Sequence, residues 1–166
     1  MHFDLKSIST DSVPKALEKA ERYRLLNEPS LAESICLDIL TILPTHQQAL
    51  ISLLLARTDQ FGSGVALKSA QELLPRIEDE YESAYYAGLI WERKGHAHLR
   101  QGGLGSAANT YHALREAMKQ YEQAEALRPP ANDDAILRWN ACARIIARDS
   151  EIRPIPDAEF QPITGE

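Results

Sequence analysis

Residues 13–44 read VPKALEKAERYRLLNEPSLAESICLDILTILP, two amphipathic stretches divided by Asn27-Glu28-Pro29 and closed by Pro44. In the first stretch Ala16, Leu17, Ala20, Tyr23 and Leu26 keep the three-to-four spacing of one helix face. Pro14 falls in the first turn, where a missing N–H breaks no bond, and Asp11-Ser12 offers the cap. In the second stretch Ser30-Leu31-Ala32-Glu33 has the capping-box pattern, followed by an apolar side of Ala32, Ile35, Cys36, Ile39 and Leu43. The pair predicts a helical hairpin, which buries its apolar faces only by stacking on neighbours.

The unit recurs along the chain. Ala20, Leu54 and Gly88 stand 34 residues apart, and so do Ala32 and Ala66. A period of this size predicts stacked helix pairs, an architecture that holds other proteins more often than it does chemistry. Thr45-His46-Gln47-Gln48 opens a third helix over about 46–60, apolar on more than one face through Leu50, Leu53, Leu54 and Ala56. A short fourth helix follows around Val65, Ala66, Ala70, Leu73 and Leu74. Asp79 to Glu82 cap a fifth through Ala84, Tyr85, Gly88, Leu89 and Trp91. After Gly102-Gly103-Leu104-Gly105, Ser106 caps a sixth that ends near Leu127, before Pro129-Pro130. Asn132 opens a seventh, with Ile136, Leu137, Trp139, Ile145 and Ile146. No window alternates with the period of a strand, so the fold class is all-α.

These offsets resemble the tetratricopeptide repeat family, whose helix pairs carry small residues and aromatics at set positions and close on proline. In the first unit Ala20, Tyr23, Ala32 and Pro44 occupy those positions. In the third, Gly88 and Trp91 match the first helix, while Ala117, Tyr121, Ala124 and Pro129 match the second. The second unit departs from the pattern: Leu54 replaces the small residue, Arg57 stands at the aromatic position, and Pro75 comes three residues early. The resemblance implies an α-solenoid of about three hairpins over residues 13–147, namely 13–45, 46–78 and 79–129, with a capping helix over 132–147. Residues 1–12 form an N-terminal segment and 148–166 an extended acidic tail.

Ala32 and Ala117 stand 85 residues apart, 17 more than two periods. The surplus lies between Trp91 and Ala117, so the third hairpin over 92–117 is either two helices lengthened by about two turns each or a glycine-containing loop. Ala97, Leu99, Ala107, Ala108, Tyr111 and Leu114 favour the protruding hairpin. Leu104 and Tyr111 are then the expected contacts at its tip, and Leu99 packs within it.

The 166 residues carry a net charge of −6, of which the tail from Asp149 supplies −4. The remainder is near neutral and has no basic stripe, which argues against a nucleic-acid partner. Two cysteines, Cys36 and Cys142, read as buried thiols of a reducing compartment, with Cys36 inert. No apolar run resembles a secretory leader or reaches the ~20 residues of a membrane span. The expected setting is therefore cytoplasmic, with no membrane partner.

No nucleophile elbow, phosphate loop, zinc-ligand pair or dinucleotide fingerprint occurs, so no catalytic residue and no cofactor is assigned. His96 and His112, with Glu92 and Glu116 one helical turn away, are the only residues that suggest a metal-dependent helical enzyme. Solvated histidines account for them as well, and no metal site is assigned.

The family resemblance implies that the first helix of each pair lines a concave groove. Carried over by the 34-residue period, its rows are Leu17, Ile51 and Tyr85; Glu21, Leu55 and Leu89; and Arg24, Thr58 and Glu92. The expected function is a non-catalytic interaction module that binds a peptide or helix of a partner protein there. Leu17, Glu21, Ile51 and Leu55 replace the lysine and asparagine that clamp acidic chaperone C-termini, which argues against that partner. The alternative is a self-associating structural or regulatory subunit, a homo-oligomer joined through the 92–117 hairpin. Ile152, Pro154, Ile155, Pro156, Phe160 and Ile163 make the tail apolar enough to dock on the repeats, in cis or on a neighbour, or it stays disordered.

Overall fold

A computed structural model describes residues 1–156 of the chain. Among these residues the chain is all-helical: α1 (Val13–Leu25), α2 (Pro29–Ile42), α3 (Gln47–Thr58), α4 (Leu67–Gln71), α5 (Glu80–Gln101), α6 (Ser106–Leu127) and α7 (Asp134–Arg148). Short 3-10 turns stand at Thr10–Ser12, Phe61–Ser63 and Leu74–Arg76. Each α-helix packs against the next, and α1 also touches α3, which in turn touches α5. No helix among the described residues is long and apolar enough to cross a membrane.

The helix boundaries follow the sequence punctuation, but several caps are built differently. The α2 helix begins at Pro29 and takes Ser30 into its first turn, so the capping box does not form. Glu33 is thereby released to accept from Arg57 and Gln60 of the neighbouring strip. Ahead of α3 the cap is His46, whose Nδ1 accepts from the Ala49 N–H. Asp79 does cap α5, accepting the Glu82 N–H at 2.8 Å. Gly105, at φ +78°, precedes α6, and the Ser106 hydroxyl instead donates to the His98 carbonyl across the turn.

Two apolar cores share α5. Ala20, Ala32, Cys36, Leu50 and Leu54 centre the first, between α1, α2 and α3, and Ile90 and Ala97 of α5 join it. The second holds Leu114, Ala117, Tyr121 and Ala124 of α6 with Ala135 and Cys142 of α7. Trp139 and Ile145 pack against this second core from α7. Helix α7 thereby covers one side of α6.

The second unit is where the 34-residue period fails. Ala32 is buried inside α2, whereas Ala66 is exposed and precedes α4. Gly64, at φ +91°, and Pro75 leave room for only five α-helical residues. Arg57, at the expected aromatic position, binds Glu33 at 3.1 Å, the Ser69 carbonyl at 2.6 Å and Glu72 at 3.0 Å. An ionic tie between α2, α3 and α4 thus replaces the packing a ring would supply.

In the third unit the aromatic packing is complete. A Cβ built on Gly88 stands 2.5 Å from Tyr121 Cε1, so the ring lies directly on the α5 backbone. Helices α5 and α6 are 22 residues each, about 33 Å long. Their turn needs positive φ at Gly102, Gly103 and Gly105, which glycine adopts without a Cβ penalty. The lengthened hairpin forms, and the open glycine loop does not. Its interior is lined by Gly95, Thr110, Ala113 and Leu114, all buried. Leu104 is fully exposed at the tip and Leu99 is 42% exposed.

Tyr111 is not a free tip contact. It borders a cleft on α6 that Pro154 and Ile155 of the tail also line. Ile152 is 1% exposed, so the tail packs on the body up to that residue. Phe160 and Ile163 lie outside the described residues. Burial of one Ile side chain is worth about 2 kcal/mol, so Ile152→Ala is expected to lower stability by about that amount. Removing residues 150–166 should lower the urea midpoint similarly; an unchanged midpoint would show that the tail contributes nothing.

Candidate interaction groove

A groove of about 730 Å³ opens across α1, α3 and α5. Glu21, Arg24 and Leu25 of α1 form one wall, and Gln48, Ile51 and Leu55 of α3 the floor. Asp59, just past α3, and Tyr86 and Arg93 of α5 complete the other side. Of the nine residues expected there, Glu21, Arg24, Ile51 and Leu55 line it.

The other five do not. Leu17 is 5% exposed and Leu89 3%, both committed to packing. Thr58 is 3% exposed and returns its hydroxyl to the Leu55 carbonyl. Tyr85 turns away to stack on Tyr81 and lie beside Tyr121. Glu92, 2% exposed, faces α6 and α7. The period itself survives with a shift of one residue: Ser52 and Tyr86, and Asp59 and Arg93, are 34 apart and line the same groove. The 34-residue period carried from Leu17 and Ile51 points to Tyr85, and an adjacent tyrosine gives no hydrophobic signal that would correct it by one residue. Leu89 was misplaced because an apolar side chain serves a floor and a core equally well.

An ion cluster closes the groove at one side. Arg24 grips Asp59 with two nitrogens, Nε to Oδ2 at 2.7 Å and Nη2 to Oδ1 at 3.3 Å. Arg93 Nη1 reaches the same Oδ1 at 3.2 Å. One carboxylate thus orients two guanidiniums, and the two-pronged geometry makes the Arg24 pair the stronger. Side chains of Arg24 and Asp59 are about one-fifth exposed and that of Arg93 about one-third, and all three line the groove. Glu21 on the α1 wall is exposed.

Glu92 instead anchors a buried polar knot. Its Oε2 accepts from the Tyr121 hydroxyl and its Oε1 from Arg138 Nη1 at 3.1 Å. Burial, then the Glu92 charge, raises the Tyr121 pKa, so the phenol stays a neutral donor. Burial opposes the Arg138 charge, but Glu92 and the Tyr85 hydroxyl outweigh it and raise that pKa. The knot ties α5, α6 and α7 where a wholly apolar contact would be less directional.

His96 Nε2 lies 4.0 Å from Glu92 Oε1, buried and without a hydrogen-bond partner. Burial lowers its pKa, and Arg93, Arg100 and Arg138 add to this against the pull of Glu92. The unfolded chain therefore takes up this proton first. The stabilisation is complete above the unfolded value of about 6.5 and is lost as pH falls through the folded one. Urea midpoints at pH 7.5 and 5.0 should show a smaller acid loss for His96→Gln than for the unmodified chain; equal losses would remove His96 from the account.

His112 meets Trp91 edge-on, 5.8 Å between ring centres, and does not join His96 in a site. Among the described residues no three His, Cys, Asp or Glu side chains gather as metal ligands. Burial pushes the Cys36 thiol up to about 11 and the Cys142 thiol to about 12, leaving both protonated at neutral pH. Comparison of the chain with protein-family models, curated proteins and solved structures finds no match.

Proposed function

We propose that this chain is a non-catalytic protein-interaction module of tetratricopeptide-like helix pairs, capped by α7, which binds a segment of a partner protein in the groove over α1, α3 and α5. The observation that carries this is the row of partly buried apolar side chains, Ile51, Leu55 and Tyr86, set between Arg24 and Arg93 on helices that touch in turn. An apolar floor with a few convergent polar groups is the common make-up of a recognition cleft. The Gly88–Tyr121 contact supports the family resemblance, since it places a ring against a residue without a side chain at the matching offsets. Protonated, buried cysteines support a role without nucleophilic chemistry and suit a reducing, cytoplasmic setting.

Selection of peptides from a random library against the purified chain tests this. Peptides so obtained are expected to bind the unmodified chain and to lose at least tenfold in affinity to Leu55→Glu or Tyr86→Ala. Leu104→Ser at the hairpin tip should leave binding unchanged. Should the selected peptides respond to Leu104→Ser and ignore both groove substitutions, the hairpin and not the groove is the interaction surface.

A further inference from the structure

Residues 1–7 are all exposed, and they include three large apolar side chains: Met1 at 112%, Phe3 at 75% and Leu5 at 90%. Ile8 ends this arm, half-buried against the first core beside Ala16 and Ile35. These three side chains make the arm an exposed apolar segment open to a partner. Asp4 lies between Phe3 and Leu5, with His2 Nε2 3.6 Å from its Oδ1, so the arm presents an exposed carboxylate flanked by apolar side chains. The groove presents the complement: the guanidiniums of Arg24 and Arg93 beside Leu25, Leu55 and Tyr86. Lys6, two residues on, matches the exposed Glu21 of the groove wall.

We propose that the groove receives the residue 1–7 arm of a second copy of this chain, Asp4 meeting Arg93 and Arg24 while Phe3 and Leu5 cover Leu55 and Tyr86. This rests on the groove being a binding surface. The arm's own groove is a poor recipient. Its anchor Ile8 sits by Lys15, Ala16 and Lys19, on the α2 side of α1. Arg24 is on the α3 side, about 140° from Lys19 around the helix at 3.6 residues per turn. The backbone of α1 separates the arm's root from the groove, and a neighbouring molecule has no such obstacle. The contact is head-to-groove, so it closes when two copies exchange arms and grows into chains when they do not.

Sedimentation of the full chain over a hundredfold range of concentration tests the proposal. The unmodified chain is expected to self-associate, and Phe3→Ser, Asp4→Lys and Arg93→Glu are each expected to weaken association at least tenfold. Combining Asp4→Lys with Arg93→Glu in one chain should restore it to within about threefold, because the ion pair re-forms with its signs exchanged. A photo-reactive phenylalanine at position 3 should cross-link between copies to the peptide that contains Tyr86. A monomer at all concentrations overturns the proposal. So does self-association that ignores Phe3→Ser and Arg93→Glu and yields to Leu104→Ser. If the chain stays monomeric while Leu55→Glu still abolishes binding of library-selected peptides, the arm is excluded and the groove stands; loss of both overturns both.

Discussion

Arg138→Ala is expected to destabilise the protein by about 3 kcal/mol, because it strands a buried carboxylate without its countercharge. Glu92 is 2% exposed, and its Oε1 has Arg138 at 3.1 Å, while the phenol of Tyr121 occupies Oε2. Arg138 is itself about one-third exposed, which places the cost at the lower end of the range for a broken buried pair. For a chain of this size such a loss lowers Tm by roughly 6–12 °C. The decisive comparison is a double-mutant cycle. Glu92→Gln removes the charge but keeps an oxygen for the Tyr121 hydroxyl, so Arg138→Ala in that background should cost about 1 kcal/mol or less. If Arg138→Ala costs the same in both backgrounds, Arg138 acts only through the packing of its aliphatic stem, and the ionic account is wrong.

Gly88→Ala should carry the second large loss, about 2–3 kcal/mol, the penalty for overpacking a filled interior. In an exposed helix the same change would stabilise by about 1 kcal/mol, since alanine is the better helix former. Here the new methyl would stand 2.5 Å from Tyr121 Cε1, so the ring or the helix must move. The ring has nowhere to go: Tyr121 is fully buried, and its hydroxyl is held by Glu92. Tyr121→Leu alone removes a ring and a hydrogen bond and is itself costly, but paired with Gly88→Ala it should be clearly less harmful than the sum of the two. Strict additivity in urea unfolding would mean that the two residues do not share the contact, and the packing account would fall with it.

The two cases differ in how far the chain announces them. Gly88 and Tyr121 sit at offsets where the family resemblance expects a small residue and an aromatic, so the two residues, though not their contact, were legible before any coordinates. The Glu92 knot was not. A glutamate on a helix with period 3.6 reads as solvated unless its neighbours across space are known, and Arg138 lies 46 residues away on a helix that only looks like a cap. The same blindness sent Glu92, Thr58, Leu17 and Leu89 to the groove wall when packing had already claimed them. Arg57 shows the converse, a charge at an apolar offset that made the second unit look defective until its three partners on α2 and α4 came into view.

Helix number, order and punctuation and the lengthening of the third hairpin were properties of the sequence alone, because each follows from local spacing and from residues that break or cap a helix. Which face of α5 meets the groove, which charges pair, and whether Ile152 docks were decided only by the tertiary structure. One residue of rotation is about 100° on a helix, about the width of an apolar stripe, and a carried-over period does not correct such a step; it moved the wall from Tyr85 to Tyr86 and from Glu92 to Arg93.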